Sequence, residues 1–290
     1  MLMQTIVNGL LLGGVYGLAT IGFSMVWGVM GIINLAHGAY IMIGAYIAWV
    51  GFERFGLDPF LSIPISMVVL FMVGFLIQRF LLNPILRTGL LLSLALTFGL
   101  DLILTDLFVL GFTSDLRSVR PAYASESLQI AGVLIPQVRL AACVLAVALA
   151  WGFHLVLSKT RHGQAILATA LDRETARIMG INPTLTYALT AGAGAALAGA
   201  AGSLASMLFP ISPHLGASFI GAVFVVTVLG GIGALGGAVL GGFLFGLIQS
   251  FASAAFGVGT QQIVAFVIFL VILVLRPQGL FGRKFFGENA

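Results

Sequence analysis

Long apolar stretches recur from one end of this chain to the other, and they constrain its fold more than any other feature. A helix of about 20 apolar residues crosses a hydrocarbon layer of roughly 30 Å. Only 8% of the 290 residues are charged, against about 25% in a soluble domain. The sequence therefore predicts an all-α, polytopic integral membrane protein, one transmembrane domain over residues 1–290, with roughly eight or nine hydrophobic segments. These segments lie at about 5–30, 33–51, 60–80, 89–111, 139–158, 184–208, 217–234, 237–256 and 261–276.

Basic residues predict how the chain lies in the membrane. Of the 13 Lys and Arg residues, most fall in three polar segments: 79–88, 159–183 and the tail from Arg276 onward. Because Lys and Arg accumulate on the cytoplasmic side, the loop 159–183 and the C-terminus are predicted to be cytoplasmic. The loop 112–138 is then external, although it carries Arg117 and Arg120. Nine crossings would place the N-terminus outside; eight, with one segment that dips in and returns, remain an alternative.

Glycine marks places where helices either pack closely or stop. The 38 glycines include pairs four residues apart, such as Gly242 and Gly246, a spacing that lets helix backbones approach closely in a membrane. The stretch LGGIGALGG predicts a break near 229–237, because glycine is unfavourable in a helix interior. We interpret Gly230, Gly231 and Gly233 as candidates for lining a transport pathway, with tight helix packing as the alternative.

The stretch GIINLAHGAY places polar residues between the first two apolar runs. It predicts a discontinuous or re-entrant helix near 31–51, with the Asn34 side chain capping a helix that begins at Leu35. A helix start within a transporter offers free N–H donors and a partial positive charge to an anionic substrate group. Asn34, His37 and Gly38 are therefore candidate pathway residues. The alternative is that Asn34 and His37 only join two packed helices through hydrogen bonds.

Asp101 lies near the middle of the fourth apolar run, whereas Asp106 is closer to its end. An ionisable side chain at membrane depth is a functional candidate by default. Asp101 is therefore a candidate for contact with substrate, and a hydrogen bond between helices is the alternative.

Several kinds of active site have no motif in this sequence. It contains no G-x-x-x-x-G-K-[ST] phosphate loop and no H-E-x-x-H zinc motif, and its four histidines are dispersed. No catalytic residue, metal site or cofactor is predicted, and the basic residues lie in short loops, which does not favour nucleic-acid binding. A transport subunit in a lipid bilayer is expected, with its energy source in another chain or in an ion gradient.

The polar segment 159–183 reads as a helix followed by a sharp restart. Helical spacing from Gly163 to Gly180 predicts one cytoplasmic helix, with Gly180 in a left-handed C-terminal position. Asn182 and Pro183 suit the cap and first position of the next apolar helix. The alternative is a solvated helix at the membrane interface without a specific partner.

Three stretches together resemble one protein family. They are NLAHGAY, TRHGQAILATALDRETARIMGIN and LRPQGLFG. In order and spacing the chain resembles the permease subunits of branched-chain amino acid ABC importers, and it is more similar to the H-type (LivH-like) subunit than to the longer M-type. One departure concerns the second stretch: family loops often read G-R-A-x-R-A where this chain has GQAILA, so two basic positions are missing.

The resemblance implies a permease of the bacterial inner membrane that moves leucine, isoleucine or valine inward by alternating access. The implied partners are a homologous M-type permease, two cytoplasmic ATPase subunits that bind the ATP, and a periplasmic binding protein, which the loop 112–138 is a candidate to meet. The segment 159–183 becomes a coupling helix. Its candidate contacts to the ATPase are Leu171, Asp172, Arg173, Glu174, Arg177 and Gly180.

Other functions stay open from the sequence. A related ABC permease could carry an amide, urea or another amino acid. A standalone ion-coupled carrier would use Asp101 as its titrating group and would transport as a single chain. A purely structural membrane subunit would respond to no substrate.

Overall fold

Helices dominate the computed structural model, which describes residues 2–85, 90–130 and 132–275. The predictions for Arg87 and for the tail from Arg276, with Arg283, Lys284 and most of LRPQGLFG, lie outside these residues. The first half contains α1 (Leu2–Met30), α2 (His37–Phe55), α3 (Ser62–Ile77), a π-helical turn (Gln78–Leu82), α4 (Asn83–Ile85) and α5 (Leu90–Phe112). A 3-10 turn (Ala122–Ser125), β1 (Ser127–Ile130) and β2 (Val133–Pro136) follow. The second half contains α6 (Gln137–Lys159), α7 (Arg161–Leu171), α8 (Arg173–Ile178), α9 (Pro183–Ala205), α10 (Leu215–Gly230), α11 (Leu235–Phe256), a 3-10 turn (Val258–Thr260) and α12 (Gln261–Leu275).

Six of the described helices are long and apolar enough to cross a membrane: α1, α3 with its continuation to Ile85, α5, α6, α9 and α11. The helices α10 and α12 are apolar but shorter. Each hydrophobic segment expected from the sequence coincides with a helix. The all-α, polytopic membrane fold is therefore confirmed, while the number of crossings stays a prediction.

The first helix, α1, lies at the centre of the bundle and packs through its glycines. A Cβ atom added to Gly13 would lie 2.6 Å from the Phe243 Cα of α11, and one added to Gly22 would lie 2.4 Å from the Gly194 carbonyl oxygen of α9. No side chain fits at these distances, so the backbones are in direct contact. Gly9 lies opposite Leu247 and Gly28 opposite Gly233, so α1 and α11 are antiparallel.

A second close-packed seam runs along α9, where it meets α2 and α3. A Cβ atom on Gly44 would lie 2.4 Å from the Gly199 carbonyl oxygen. Nearby, the Ser203 Oγ lies 2.8 Å from the Ser66 Oγ and 3.2 Å from the Gly44 carbonyl oxygen. Small residues that allow close approach, with hydroxyls that bond across the seam, are the usual means of holding helices together in lipid.

The two ends of the bundle differ. At one, here named the hairpin end, β1 pairs antiparallel with β2, and the Gln4 side chain hydrogen-bonds the Leu134 backbone at 2.7 and 2.9 Å. Gly132, with φ 78°, supplies the left-handed residue that such a tight turn requires. The sequence had predicted only a loop over 112–138, so it missed this hairpin. At the opposite end, here named the α7 end, lie α7 and α8.

The fifth helix, α5, stands apart from the rest. Only 6% of the residues in its most apolar stretch are buried inside the bundle, compared with 89% in that of α1. Its inner side lies against α2 and the segment before it, through contacts such as the 4.9 Å between the Tyr46 and Phe112 ring centroids. This arrangement leaves a cleft between α5 and α3.

Candidate functional site

Both breaks in the helices lie against the central helix α1. The chain leaves α1 at Gly31, which has φ 67°, and re-enters a helix at His37. The His37 Nε2 lies 2.9 Å from the Ala19 carbonyl oxygen. Since a carbonyl only accepts, Nε2 carries the proton, and the fully buried ring packs edge-on against Phe23. The predicted interruption near 31–51 is thus confirmed, and His37 fixes where α2 begins.

Asn34 does not cap a helix as the sequence had predicted. The helix α2 begins at His37, two residues later than expected, and no side chain caps it. The Asn34 backbone carbonyl instead accepts from the His37 N–H at 3.2 Å. Its side chain lies beside the Tyr40 hydroxyl, and Oδ1 has no hydrogen-bond partner although the residue is only 4% exposed. A buried acceptor left unpaired calls for an explanation, and a ligand group is one.

A polar side of α5 faces this break. The Thr97 Oγ accepts from the Leu35 N–H at 3.3 Å and lies 3.3 Å from the Ile33 carbonyl oxygen. One turn further along, the half-buried Asp101 lies beside the backbone of Ala39. The structure therefore brings Asp101 to the same region as Asn34 and His37. The sequence prediction missed Thr97, although its spacing of four from Asp101 placed both on one side of the helix.

Gly38 and the glycines of the second break occupy positions where a side chain would be strained. A Cβ atom on Gly38 would lie 2.6 Å from the Gly216 carbonyl oxygen of α10. The second break is confirmed between Gly230, where α10 ends, and Leu235, where α11 begins. Gly231 and Gly233 have φ 86° and 77°, a conformation that strongly favours glycine.

The glycine-rich break lies nearer the α7 end than Asn34 and His37 do. The Gly233 N–H donates to the Ser24 Oγ at 3.0 Å, and Ser24 follows Ala19 along α1 by more than one turn. The sequence-predicted pathway residues therefore form two groups at two depths in the bundle. Among the described residues, no group of three or more His, Cys, Asp or Glu could hold a metal ion.

The segment predicted as one coupling helix consists of two. The helix α7 ends at Leu171, and Asp172 caps α8 by accepting from the backbone N–H groups of Glu174 at 2.9 Å and Thr175 at 3.3 Å. The prediction of a continuous helix from Gly163 to Gly180 was wrong, because a carboxylate that satisfies the orphan donors of a new helix start competes with continuation.

The charge on Asp172 stabilises this corner. The Thr175 hydroxyl donates to its carboxylate, and with the two backbone donors this lowers the pKa of Asp172 below its ordinary value. A lowered pKa means that the cap is fully formed above the ordinary pKa of about 3.9 and is lost only as the pH falls through the lower, folded-state value. The corner is therefore insensitive to pH near neutrality.

The end of α8 matches the sequence prediction. Gly180 has φ 84°, its N–H donates to the Arg177 carbonyl at 3.0 Å, and the Ile181 N–H donates to the Ala176 carbonyl at 3.0 Å. This pair of bonds is the Schellman motif of a glycine-terminated helix. Asn182 then caps α9 through bonds to Thr184 and Leu185, and Pro183 is its first residue.

The surface of α7 and α8 exposes large apolar side chains next to charged ones. Leu171, Ile178 and Met179 are 89%, 83% and 77% exposed. Glu174 and Arg177 are exposed as well, while the Arg173 guanidinium lies 5.5 Å from the Tyr187 ring centroid. On the inner side, Ile166 packs with Met25 and Leu157, so the segment is anchored to α1 and α6. An exposed apolar group with polar neighbours is typical of a surface that meets another protein.

Residues 5–275 match the protein family described as "Branched-chain amino acid transport system / permease component". The chain belongs to this family. The matched residues include both breaks, the polar side of α5 and the segment α7–α8. Every site feature described above therefore lies in the part of the chain that matches this permease family.

Individual relatives agree with the family. Over 97% of this permease, the sequence is 33% identical to the high-affinity branched-chain amino acid transport system permease protein BraD of Pseudomonas aeruginosa, of which 96% is covered. It is 28% identical, over the same 97% and 96%, to the corresponding protein LivH of Escherichia coli. No solved structure was found to match the chain.

Proposed function

We propose that this chain is the transmembrane permease subunit of a bacterial ABC importer that moves leucine, isoleucine and valine inward by alternating access. The observation that carries the proposal is the family match over residues 5–275, together with the relatives named as branched-chain amino acid permeases. The chain itself is not an enzyme in this proposal, since ATP is bound by partner subunits.

The polar groups around the first break support a pathway role. Asn34, His37, Thr97 and Asp101 are grouped among apolar helices, and polar groups at that depth are costly unless they are paired or functional. Asn34 Oδ1 is the unpaired member of the group. In the proposal, these residues line the pathway at mid-depth, and Gly230, Gly231 and Gly233 border it closer to the α7 end.

The proposed partners are a homologous M-type permease, two ATPase subunits and a substrate-binding protein. The exposed Leu171, Ile178 and Met179 support a protein contact at the α7 end. The hairpin, with Arg120 exposed nearby, is the corresponding surface for the binding protein at the other end. Energy would enter through α7 and α8, because α7 is anchored to α1 and α6 and the turn at Gly180 joins α8 to α9.

Reconstitution tests this function directly. The complete complex in proteoliposomes is expected to take up radiolabelled leucine only when ATP and the binding protein are both present. Uptake by this chain alone under an ion gradient would favour an ion-coupled carrier instead. Uptake of an amide or urea but not of leucine would retain the class of transporter and change its substrate.

Sidedness follows from charge in this proposal. The α7 end carries Lys159 and Arg161 with the arginines of α8, and Lys and Arg accumulate on the cytoplasmic side of the inner membrane. A cysteine placed at Ala170, in a Cys143→Ala background, is expected to react with an impermeant thiol reagent only after cells are opened. A cysteine at Ser114, beyond the hairpin end of α5, should react in intact cells. Labelling of the first site from outside would reject this orientation.

The pathway role of Asn34 predicts that function is lost without loss of the fold. Asn34→Leu is expected to lower leucine uptake about tenfold, which is more than it lowers the amount of folded protein in the membrane, although it removes the contact with the Tyr40 hydroxyl as well as the unpaired Oδ1. The neighbouring Ile33→Leu is the matched control and should leave uptake near the wild-type rate. If uptake in Asn34→Leu falls only as far as the amount of folded protein does, Asn34 is structural.

A further inference from the structure

The helix α6 presents one exposed stripe over its second half. This stripe, here named the α6 stripe, consists of exposed residues at a spacing of four: Val147, Trp151, Leu155 and Lys159. Residues four apart lie on the same side of a helix. The α6 stripe is therefore apolar over three positions and ends in a cation at the α7 end of the bundle.

Two exposed rings on α6 indicate where the membrane surface lies. All three tryptophans of the chain are among the described residues, and of these only Trp151, at 66%, is exposed. His154 follows it by three residues and is exposed as well. Tryptophan prefers the level of the lipid headgroups, and a histidine among acyl chains is costly. The acyl region therefore ends near these two rings, and the last turn of α6 lies among the headgroups.

Basic side chains are concentrated directly beyond this level. Three of the four positions where α6 ends and α7 begins are basic and exposed, and they are here named the basic corner: Lys159, Arg161 and His162. The sequence has no Asp or Glu between Glu126 and Asp172. Neither α6 nor α7 therefore contains an acidic side chain that could neutralise the basic corner.

The turn from α6 into α7 has a fixed geometry. The Thr160 hydroxyl donates to the Val156 carbonyl at 2.6 Å and accepts from the Gly163 N–H at 3.1 Å. A Cβ atom added to Gly163 would collide with the Leu157 backbone, so the start of α7 lies directly on the last turns of α6. The basic corner is thus held beside the end of the α6 stripe, and a ligand that contacts both meets a preformed site.

A ligand that covers both features combines a hydrocarbon part with an anionic group. An anionic phospholipid does so, because its acyl chains and its phosphate belong to one molecule. Lys and Arg residues beside a membrane span attract anionic lipids by charge. We propose that the α6 stripe and the basic corner form a binding site for an anionic phospholipid, with an acyl chain along the stripe and the headgroup phosphate at the corner.

This site goes beyond the proposed function, because it does not depend on which substrate the chain moves. The helix α7 begins at the basic corner and leads to the exposed surface of α7 and α8. A bound anionic lipid would hold the start of that segment at the membrane surface. The lipid composition of the membrane would then influence the part of the chain that is proposed to receive force.

A helix of another membrane protein is the competing occupant, since it could also cover an apolar stripe. It would have to bring an acidic group to the level of the basic corner. A phospholipid of the surrounding bilayer already has its phosphate at that level and its acyl chains alongside α6, so the combination of apolar stripe and basic corner favours the lipid. A free phosphate would meet the corner and leave the stripe uncovered.

The first experiment measures lipid binding to the full-length chain, purified in detergent together with the partners with which it is expressed. Native mass spectrometry follows titrations with phosphatidylglycerol and with phosphatidylcholine of the same acyl chains. Wild type is expected to bind phosphatidylglycerol about tenfold more tightly or better. Lys159→Gln combined with Arg161→Gln is expected to weaken phosphatidylglycerol binding about 25-fold, because each cation contributes a factor of about five, and to leave phosphatidylcholine binding unchanged.

The matched control removes the same charge from the same end of the bundle. Arg173→Gln combined with Arg177→Gln changes α8, which lies outside the proposed site. Phosphatidylglycerol binding by this control should stay within about twofold of wild type, because the attraction falls off with distance from the charges. Thermal unfolding without added lipid shows whether each variant is folded.

The second experiment tests the α6 stripe. Trp151→Ala is expected to weaken binding of both lipids about fivefold, because it removes apolar contact area and no charge. Glycerol phosphate, which has the headgroup chemistry without acyl chains, should not displace phosphatidylglycerol from wild type. Displacement by glycerol phosphate at equal concentration would show a phosphate site and overturn the lipid site.

The third experiment identifies the occupant in the membrane. The photoreactive p-benzoylphenylalanine, incorporated in place of Leu155, is expected to form adducts with phospholipid when cells are irradiated. Adducts with another polypeptide instead would show that a protein covers the α6 stripe and would overturn the proposal. Equal binding of the two lipids by wild type would overturn it as well, and so would undiminished phosphatidylglycerol binding in the variant of Lys159 and Arg161.

Discussion

Gly180→Val is expected to abolish the stimulation of ATP hydrolysis by loaded binding protein while the permease still reaches the membrane. Gly180 has φ 84° and nothing lies within 4 Å of a Cβ atom there. Space is therefore not the obstacle. The obstacle is the left-handed backbone, which a β-branched residue strongly disfavours. Valine would release the Schellman turn and separate the movement of α8 from that of α9.

The matched control for this variant is Gly180→Asn. Asparagine tolerates the left-handed region far better than valine and meets the same open surroundings. We expect Gly180→Asn to retain most of the stimulation, and the comparison isolates backbone conformation from side-chain size. Equal stimulation in both variants would show that the turn does not transmit force, and equal loss would assign the effect to the surface of the side chain.

Gly242→Ala is expected to prevent stable packing of the bundle, although it adds only one methyl group. The new Cβ would lie 2.4 Å from the Gly17 nitrogen, 2.5 Å from its Cα and 2.7 Å from the Gly13 carbonyl oxygen. All three are backbone atoms, so α1 and α11 must separate. Overpacking of this kind costs about 1–3 kcal/mol or more, and separated helices also lose contacts along their length.

The control is Gly236→Ala, on the same helix, where nothing lies within 4 Å of the added Cβ. Alanine there is expected to be neutral or to stabilise by up to about 1 kcal/mol, because glycine is a poor helix former. Thermal unfolding of the purified permease in detergent measures both. A Gly242→Ala midpoint as high as that of Gly236→Ala would mean that the seam between α1 and α11 is looser than the distances indicate.

Helix boundaries were predicted most accurately where a residue type has one dominant structural role. Glycine in a left-handed position ends α8 at Gly180, and the asparagine and proline that follow begin α9. The break after α10 was predicted equally well, because five glycines in nine residues cannot sustain a helix. The apolar segments identified the helices, since few other structures satisfy their backbone in lipid.

The errors arose where two local signals competed. Asp172 lies within a pattern of helical spacing, and the pattern alone predicted one continuous helix. The cap that Asp172 forms with Glu174 and Thr175 prevailed. Asn34 is the reverse case: a good capping residue that does not cap, since the contact of His37 with Ala19 on α1 fixes the start of α2.

Other features depend on contacts between distant parts of the chain and had no local signal. An apolar cavity between α2, α3 and α5 exists because α5 stands away from α3, which no spacing in the sequence encodes. Nothing in the local sequence marks Tyr46 and Ser62. Their hydroxyl groups become buried without a hydrogen-bond partner only when the helices pack together. The contacts of Arg117 with the Trp49 ring and the Ile211 backbone join distant parts of the chain, and no local pattern predicts them.

The seam between α1 and α11 also bears on how the protein is made. The Ser250 hydroxyl donates to the Thr5 carbonyl across 245 positions of sequence, so the first helix to enter the membrane finds its main partner only near the end of synthesis. Until then the side of α1 that carries Gly9, Gly13 and Gly17 has no backbone to meet, and contacts this remote in sequence form late. A ribosome that stalls before α11 would leave that one side of the central helix exposed to lipid, and quality-control proteases of the membrane would encounter the chain in that state.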